Sequence, residues 1–164
     1  MSNQHHLSLH QLSEQAVQKA LELRRTVATA ESLTAGMVSA VLADTPGASG
    51  MLQGGVVAYQ NSVKANLLKV SQELLADVGS VDGGVAAAMA AGARTALGAD
   101  IGVATTGVAG PEAHDGKPVG TVYIGIATAA GTHGFEYLFS GSRAEIRGQA
   151  CGAALERLFE VLSL

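Results

Sequence analysis

Four groups of residues in the sequence have side chains and spacing suited to chemistry on a small polar molecule. Glu31-Ser32-Leu33-Thr34-Ala35-Gly36 places a hydroxyl where an apolar run, Thr26 to Ala30, gives way to a helical pattern. Free backbone N–H groups at such a junction favour an anion, so a serine there is a candidate nucleophile. Ser32 also suits an ordinary helix N-cap, and the hexapeptide taken alone favours the cap. Gly36 argues the other way, because a glycine inside a helix costs about 1 kcal/mol relative to alanine and suggests a close approach by another backbone or a ligand. Tyr59, Asn61 and Lys64 bring a phenol, an amide and an amine to a second such junction. A lysine in the first turn of a helix opposes the dipole, which lowers its pKa and fits it to act as a neutral general base; a solvated surface lysine is the plain alternative.

Thr105-Thr106-Gly107-Val108-Ala109-Gly110-Pro111 follows a third apolar run, and its glycines let backbone amides crowd a ligand oxygen, or simply form a turn. Arg143 and Arg147 share one face at the start of a terminal helix. They form a candidate phosphate clamp, unless they are solvated or pair with Glu145 or Glu31. His6 and His10 have i,i+4 spacing without a third ligand, so no metal site is expected. Glu112, His114 and Asp115 read as polar lining of a long loop from Gly107 to Gly120, and Cys151 as a small core residue. There is no G-x-G-x-x-G, P-loop, G-x-S-x-G or S-x-x-K pattern, which removes support for dinucleotide binding, phosphoryl transfer and the common serine hydrolases.

The elements that must position these groups follow from periodicity. Leu9, Leu12, Ala16, Ala20 and Leu23 mark a first helix, with Ser8 and Gln11 as a capping box. A strand over Thr26 to Ala30, a helix from about Leu33 to Ala43 and a strand over Gly54 to Tyr59 come next. A helix carrying Val63, Leu67 and Leu68 follows, then one from Ser71 to Val78. Asp82 caps an alanine-rich helix that ends at Gly98. Ile101 to Thr106, Thr121 to Thr128 and His133 to Phe139 read as strands, the last two as an antiparallel hairpin. Ser142 and Glu145 cap a terminal helix whose stripe is Ile146, Ala150, Leu155, Leu158 and Leu162. This order implies an α/β fold, a three-layer α/β/α sandwich whose mixed, mostly parallel sheet ends in an antiparallel hairpin.

Composition bounds the reading. The 164 residues are 48% hydrophobic, enough for one domain with a sizeable core, residues 1–8 being expected to form a flexible tail. A net charge of −4 with ten Lys plus Arg leaves no footprint for nucleic acid. One cysteine, no signal-like start and no apolar run of about 18 residues point to a cytoplasmic protein without a membrane partner.

Four ordered segments carry a family resemblance: Ala30 to Gly36; Gly55 to Tyr59 with Asn61 and Lys64; Thr106 to Pro111; and Lys117-Pro118-Val119-Gly120-Thr121-Val122-Tyr123. From about Thr26 to Leu162 the chain resembles the CinA C-terminal family, the nicotinamide mononucleotide deamidases. Gly141-Ser142-Arg143 departs from the family's usual Gly-Asp-Arg, and Gly79-Ser80-Val81-Asp82 from its Gly-Ala-Val-Ser. The resemblance implies hydrolysis of the carboxamide of nicotinamide mononucleotide to nicotinic acid mononucleotide and ammonia, without metal or cofactor. It assigns Ser32 as nucleophile, Lys64 as base and Tyr59 as an orienting or relaying group. The backbone near Ser32 or Thr106-Gly107 would hold the oxyanion, and Arg143, with Arg147, the phosphate. Glu31, Thr34, Gly36, Asn61, Thr105 and Gly110 complete the expected substrate site. A non-catalytic nucleotide-binding or regulatory module is the alternative. The chain resembles the family's stand-alone form, and a homo-oligomer is expected, with the small residues from Gly83 to Leu97 able to pack within the domain or across an interface.

Overall fold

A computed structural model describes residues 7–164. The first helix, α1 (Leu9–Glu22), begins where expected, the Ser8 hydroxyl accepting from the Gln11 amide and the Gln11 side chain from the Ser8 amide. Ser8 is therefore a helix cap and not part of a tail; residues 1–6, including His6, lie outside the described residues. Strand β1 (Val27–Glu31) is buried throughout and leads through an irregular turn to α2 (Met37–Ala43). A short 3-10 turn precedes β2 (Leu52–Val57), followed by α3 (Asn61–Asn66), α4 (Gln72–Val78) and α5 (Gly83–Ala96). The chain closes with β3 (Ile101–Gly107), β4 (Thr121–Thr128), β5 (Gly131–Leu138) and α6 (Arg143–Leu162).

The five strands form one sheet in the order β2-β1-β3-β4-β5. Strand β1 pairs in parallel with β2 and β3, while β3–β4 and β4–β5 are antiparallel, so β4 alone runs against the other four. The hairpin connection is tighter than its sequence suggests, Ala129 and Ala130 alone separating β4 from β5.

Alternation along the strands divides the core between two faces. Val27, Ile101, Val103, Val122, Ile124 and Ile126 pack with Leu12, Leu42, Leu155 and Leu158 from α1, α2 and α6. Ala28, Ala30, Ala104 and Ala127 face the other way, against Val85, Met89, Ala90 and Ala93 of α5 and Leu75 of α4. The second face is built from small residues because α5 lies with its own backbone against the sheet. A Cβ at Gly102 would collide with the Ala90 carbonyl, and one at Gly125 with the Ala86 carbonyl. The small residues of α5 are thus used inside the domain.

Candidate active site

Three strand ends converge on one cleft at the C-terminal side of the parallel strands, where open α/β sheets place their ligands. Strand β1 delivers Glu31 and Ser32, the segment after β2 delivers Tyr59 and Asn61, and β3 delivers Thr105 to Gly107. The cleft encloses about 560 Å³, and Ser32, Tyr59, Asn61, Thr106, Gly110 and Arg143 are among its lining residues. That volume lies in the range of small-molecule sites, roughly 300–1,000 Å³.

Lys64 is the decisive residue. It is 1% exposed, and its Nζ donates to the Ala58 carbonyl at 2.8 Å, the Tyr59 carbonyl at 3.2 Å and Ser32 Oγ at 3.1 Å. Burial pulls its pKa down from 10.5 to about 8, while the Asp115 carboxylate works to raise it. The dipole has little part in this, since Lys64 falls in the last turn of a six-residue helix instead of the first turn.

Ser32 is not an N-cap. The helix after it starts at Met37, and Gly36, with φ 99, occupies the cap position in the left-handed region next to Ala35 with φ 49. Glu31 explains the late start. Its carboxylate accepts from the Val38 amide at 2.8 Å and the Ser39 amide at 3.0 Å, supplying from β1 the acceptors that α2 would otherwise take from a local cap. Thr34 Oγ1 donates to the same carboxylate at 2.7 Å and lies 2.7 Å from Thr105 Oγ1. The side chains of Glu31, Thr34 and Thr105 are buried with their polar atoms engaged, so they hold the Ser32 turn from beneath and do not line the cleft.

The two arginines part company. Arg143 lines the cleft, its guanidinium donating to the Gly110 carbonyl and, at 3.0 Å, to the Tyr59 hydroxyl. Arg147 instead donates to the carbonyl oxygens of Leu33 at 2.8 Å and Thr34 at 3.2 Å, which removes it from any two-arginine clamp. Among the described residues neither pairs with an acid: Glu145 caps the Ser142 amide and Glu31 holds α2. The Tyr59 phenol is likewise at the rim, half-exposed and bonded to Arg143; only its backbone carbonyl reaches Lys64.

Two further residues outside the expected site take part. The Asp115 carboxylate accepts from the Ser80 amide at 2.8 Å and the Ser80 hydroxyl at 2.9 Å, with His114 Nε2 at 3.3 Å. Those hydrogen bonds hold the Asp115 carboxyl below its usual range. Thr106 Oγ1 donates to the Ser80 carbonyl at 2.6 Å, so Ser80 ties the cleft loop to β3. In the sequence Asp115 is marked only as polar lining of the long loop, and Ser80 only by the departure at Gly79 to Asp82 from the family pattern. His10 pairs with Glu14 at 3.2 Å, and among the described residues no group of His, Cys, Asp or Glu is arranged to hold a metal. Cys151 is buried, its thiol pushed up to about 12.

The profile of the CinA C-terminal domain matches residues 9–162. The chain belongs to the CinA C-terminal domain family. It is 47% identical over 138 residues to a CinA-like protein of Frankia casuarinae, covering 84% of this chain and 32% of that one. The chain spans about a third of the length of the curated relatives it matches. A CinA superfamily protein of Klebsiella pneumoniae superposes with a TM-score of 0.92 at 30% identity, over 96% of this chain and 99% of that one. A competence/damage inducible protein of Agrobacterium tumefaciens gives 0.90 at 32% identity, over 97% and 99%. Among the described residues no helix is long and apolar enough to cross a membrane.

Proposed function

We propose that the chain is an amidohydrolase that converts nicotinamide mononucleotide to nicotinic acid mononucleotide and ammonia. The observation that carries this reading is the buried Lys64 amine, 3.1 Å from the Ser32 hydroxyl and held on its other side by two carbonyl oxygens. An amine with a pKa near 8 has a substantial neutral fraction close to neutral pH, which a solvated lysine lacks.

In the proposed cycle the neutral Lys64 takes the Ser32 proton while Oγ attacks the carboxamide carbon. The C–N bond then breaks, and the Lys64 ammonium returns the proton to the departing nitrogen as ammonia. Water hydrolyses the resulting serine ester by the same proton path, releasing the carboxylate and restoring Ser32. Negative charge on the carbonyl oxygen is met by the amides of Leu33 and Thr34, which donate to no protein acceptor among the described residues. Arg143 at the rim suits the phosphate, and its bond to the Tyr59 hydroxyl fixes its direction. A single cation at the cleft is compatible with a chain whose net charge is −4.

Ammonia release from nicotinamide mononucleotide, measured for the wild type, Ser32→Ala and Lys64→Ala, tests the reading. Activity in the wild type and its loss in both variants is expected. A folded wild type that binds the nucleotide without releasing ammonia at any pH would instead establish a non-catalytic binding module.

A further inference from the structure

The turn that carries Ser32 is gripped from outside the cleft by a residue more than a hundred positions later in the chain. Arg147 Nε donates to the Leu33 carbonyl at 2.8 Å and Nη2 to the Thr34 carbonyl at 3.2 Å. The Thr34 carbonyl also accepts from the Met37 amide at 3.0 Å. Arg147 is not among the residues lining the cleft, and the two nitrogens are directed at backbone oxygens.

A trans peptide unit points its C=O and the following N–H in opposite directions. Fixing the Leu33 carbonyl toward α6 therefore fixes the Thr34 N–H away from α6. The preceding unit is set in the same manner, because the Ser32 carbonyl accepts from the Ala35 amide at 3.1 Å and this orients the Leu33 N–H. Ser32 itself is anchored by its amide to the Thr105 carbonyl at 3.0 Å. Successive peptide units around the nucleophile are thus held in one arrangement, and the Leu33 and Thr34 N–H groups remain without a protein acceptor among the described residues.

We propose that Arg147 is a positioning residue of this site, its planar fork holding the Leu33 and Thr34 carbonyls so that the amides of the nucleophile turn face the reacting oxygen. The proposal rests on the serine-nucleophile reading above. A fork is required because two carbonyls are held at once; a lysine has a single ammonium on a flexible stem and cannot reproduce the arrangement.

The test uses Arg147→Met and Arg147→Lys with two readouts. The first is kcat and KM on nicotinamide mononucleotide and on nicotinamide riboside, which lacks the phosphate. The second is the rate at which a fluorophosphonate ester labels Ser32, a step that forms a P–O bond, expels fluoride, sends the serine proton to Lys64 and builds charge on the phosphoryl oxygen. Arg147→Met should lower kcat about 100-fold on both substrates with little change in KM, and slow labelling in parallel, as the loss of oxyanion donors does elsewhere. Arg147→Lys should recover only part of this. A raised KM confined to the phosphorylated substrate, or labelling at the wild-type rate in Arg147→Met, overturns the proposal.

Labelling also moves the Leu33 and Thr34 amide proton resonances of the wild type downfield if they bind the phosphoryl oxygen. Unmoved resonances overturn the proposal even where the variants fail to fold. Ser32 labelled without ammonia release rejects the substrate assignment alone and leaves Arg147 to be judged by labelling. Neither labelling nor ammonia release rejects both.

Discussion

Lys64 Nζ meets Ser32 Oγ at 3.1 Å, and its remaining contacts, at 2.8 and 3.2 Å, are carbonyl oxygens that can only accept. The same position therefore satisfies both protonation states. An ammonium donates all three hydrogens, whereas a neutral amine gives two to Ala58 and Tyr59 and presents its lone pair to the serine O–H. A proton can pass between the two groups without either side chain changing rotamer. Burial then decides how often the neutral form is present, because the surroundings that exclude water disfavour the charged one.

The pH dependence of the proposed amidase follows from this. With the Lys64 pKa lowered to about 8, kcat/KM should rise with pH through that value and then level off, as the free enzyme's base loses its proton. The Asp115 carboxylate works to raise that pKa, so Asp115→Asn should move the rising limb to lower pH. Two pH–rate profiles check both statements, and an unshifted limb in Asp115→Asn would dissociate that carboxylate from the base.

Stability should carry the same signature. Between the folded value of about 8 and the ordinary 10.5 the unfolded chain binds more protons than the folded one, so raising the pH through this window favours folding. Below the window the buried amine costs roughly 3 kcal/mol, recovered as the pH approaches 10.5. Denaturant unfolding of the wild type relative to Lys64→Met, from neutral to alkaline pH, should show the wild type gaining stability against the variant. A constant difference would mean that Lys64 is not held in a depressed state.

Arg143 makes a separate prediction. Its guanidinium lines the cleft and is directed by the Tyr59 hydroxyl and the Gly110 carbonyl. Arg143→Ala should raise KM for the phosphorylated substrate about 10- to 100-fold, the loss of a charge-assisted pair of roughly 1.5–3 kcal/mol, with kcat changed far less. Nicotinamide riboside should be hydrolysed at nearly the same rate by both proteins. An equal loss on both substrates would place Arg143 in the chemistry instead of the phosphate site.

How far the sequence discloses all this depends on whether the cause is local. Capping boxes at Ser8 and Ser142, the Asp82 cap and the apolar stripe of α6 are local patterns, and the corresponding helices begin where those residues require. The start of α2 lies later than its sequence predicts because its acceptor comes from Glu31 on the preceding strand, seven residues before Val38, and a carboxylate there resembles part of a ligand site as readily as a cap. The division of labour between Arg143 and Arg147 was hidden for a related reason. Helical spacing puts both on one face, but only the tertiary fold decides that one meets the cleft loop and the other the Ser32 turn. Ser80 and Asp115 stand 35 residues apart with no periodicity linking them. The Ser32 and Lys64 pairing is legible only through the family resemblance, since the local setting of each residue favours a bland role.

Glu31 gives the strictest test of the architecture beneath the site. Four donors converge on its carboxylate, which is 1% exposed: Thr34 Oγ1 and the Val38 amide on Oε1, the Ser39 amide and hydroxyl on Oε2. Only a group that accepts at both oxygens satisfies them all. Glu31→Gln has nearly the same shape, yet its NH2 must face one of these donor pairs and leave a buried amide N–H unmatched, at a cost of about 1–3 kcal/mol. For a chain of this size that lowers Tm by several degrees, about 2–4 °C for each kcal/mol. The damage should extend to the reaction, because the same carboxylate holds Thr34 and through it the turn on which Ser32 stands. The expected outcome is a folded, less stable protein with reduced kcat and little change in KM, read from thermal unfolding and ammonia release together. Wild-type Tm in Glu31→Gln would mean that the α2 amides find other acceptors and that the Ser32 turn does not depend on this carboxylate.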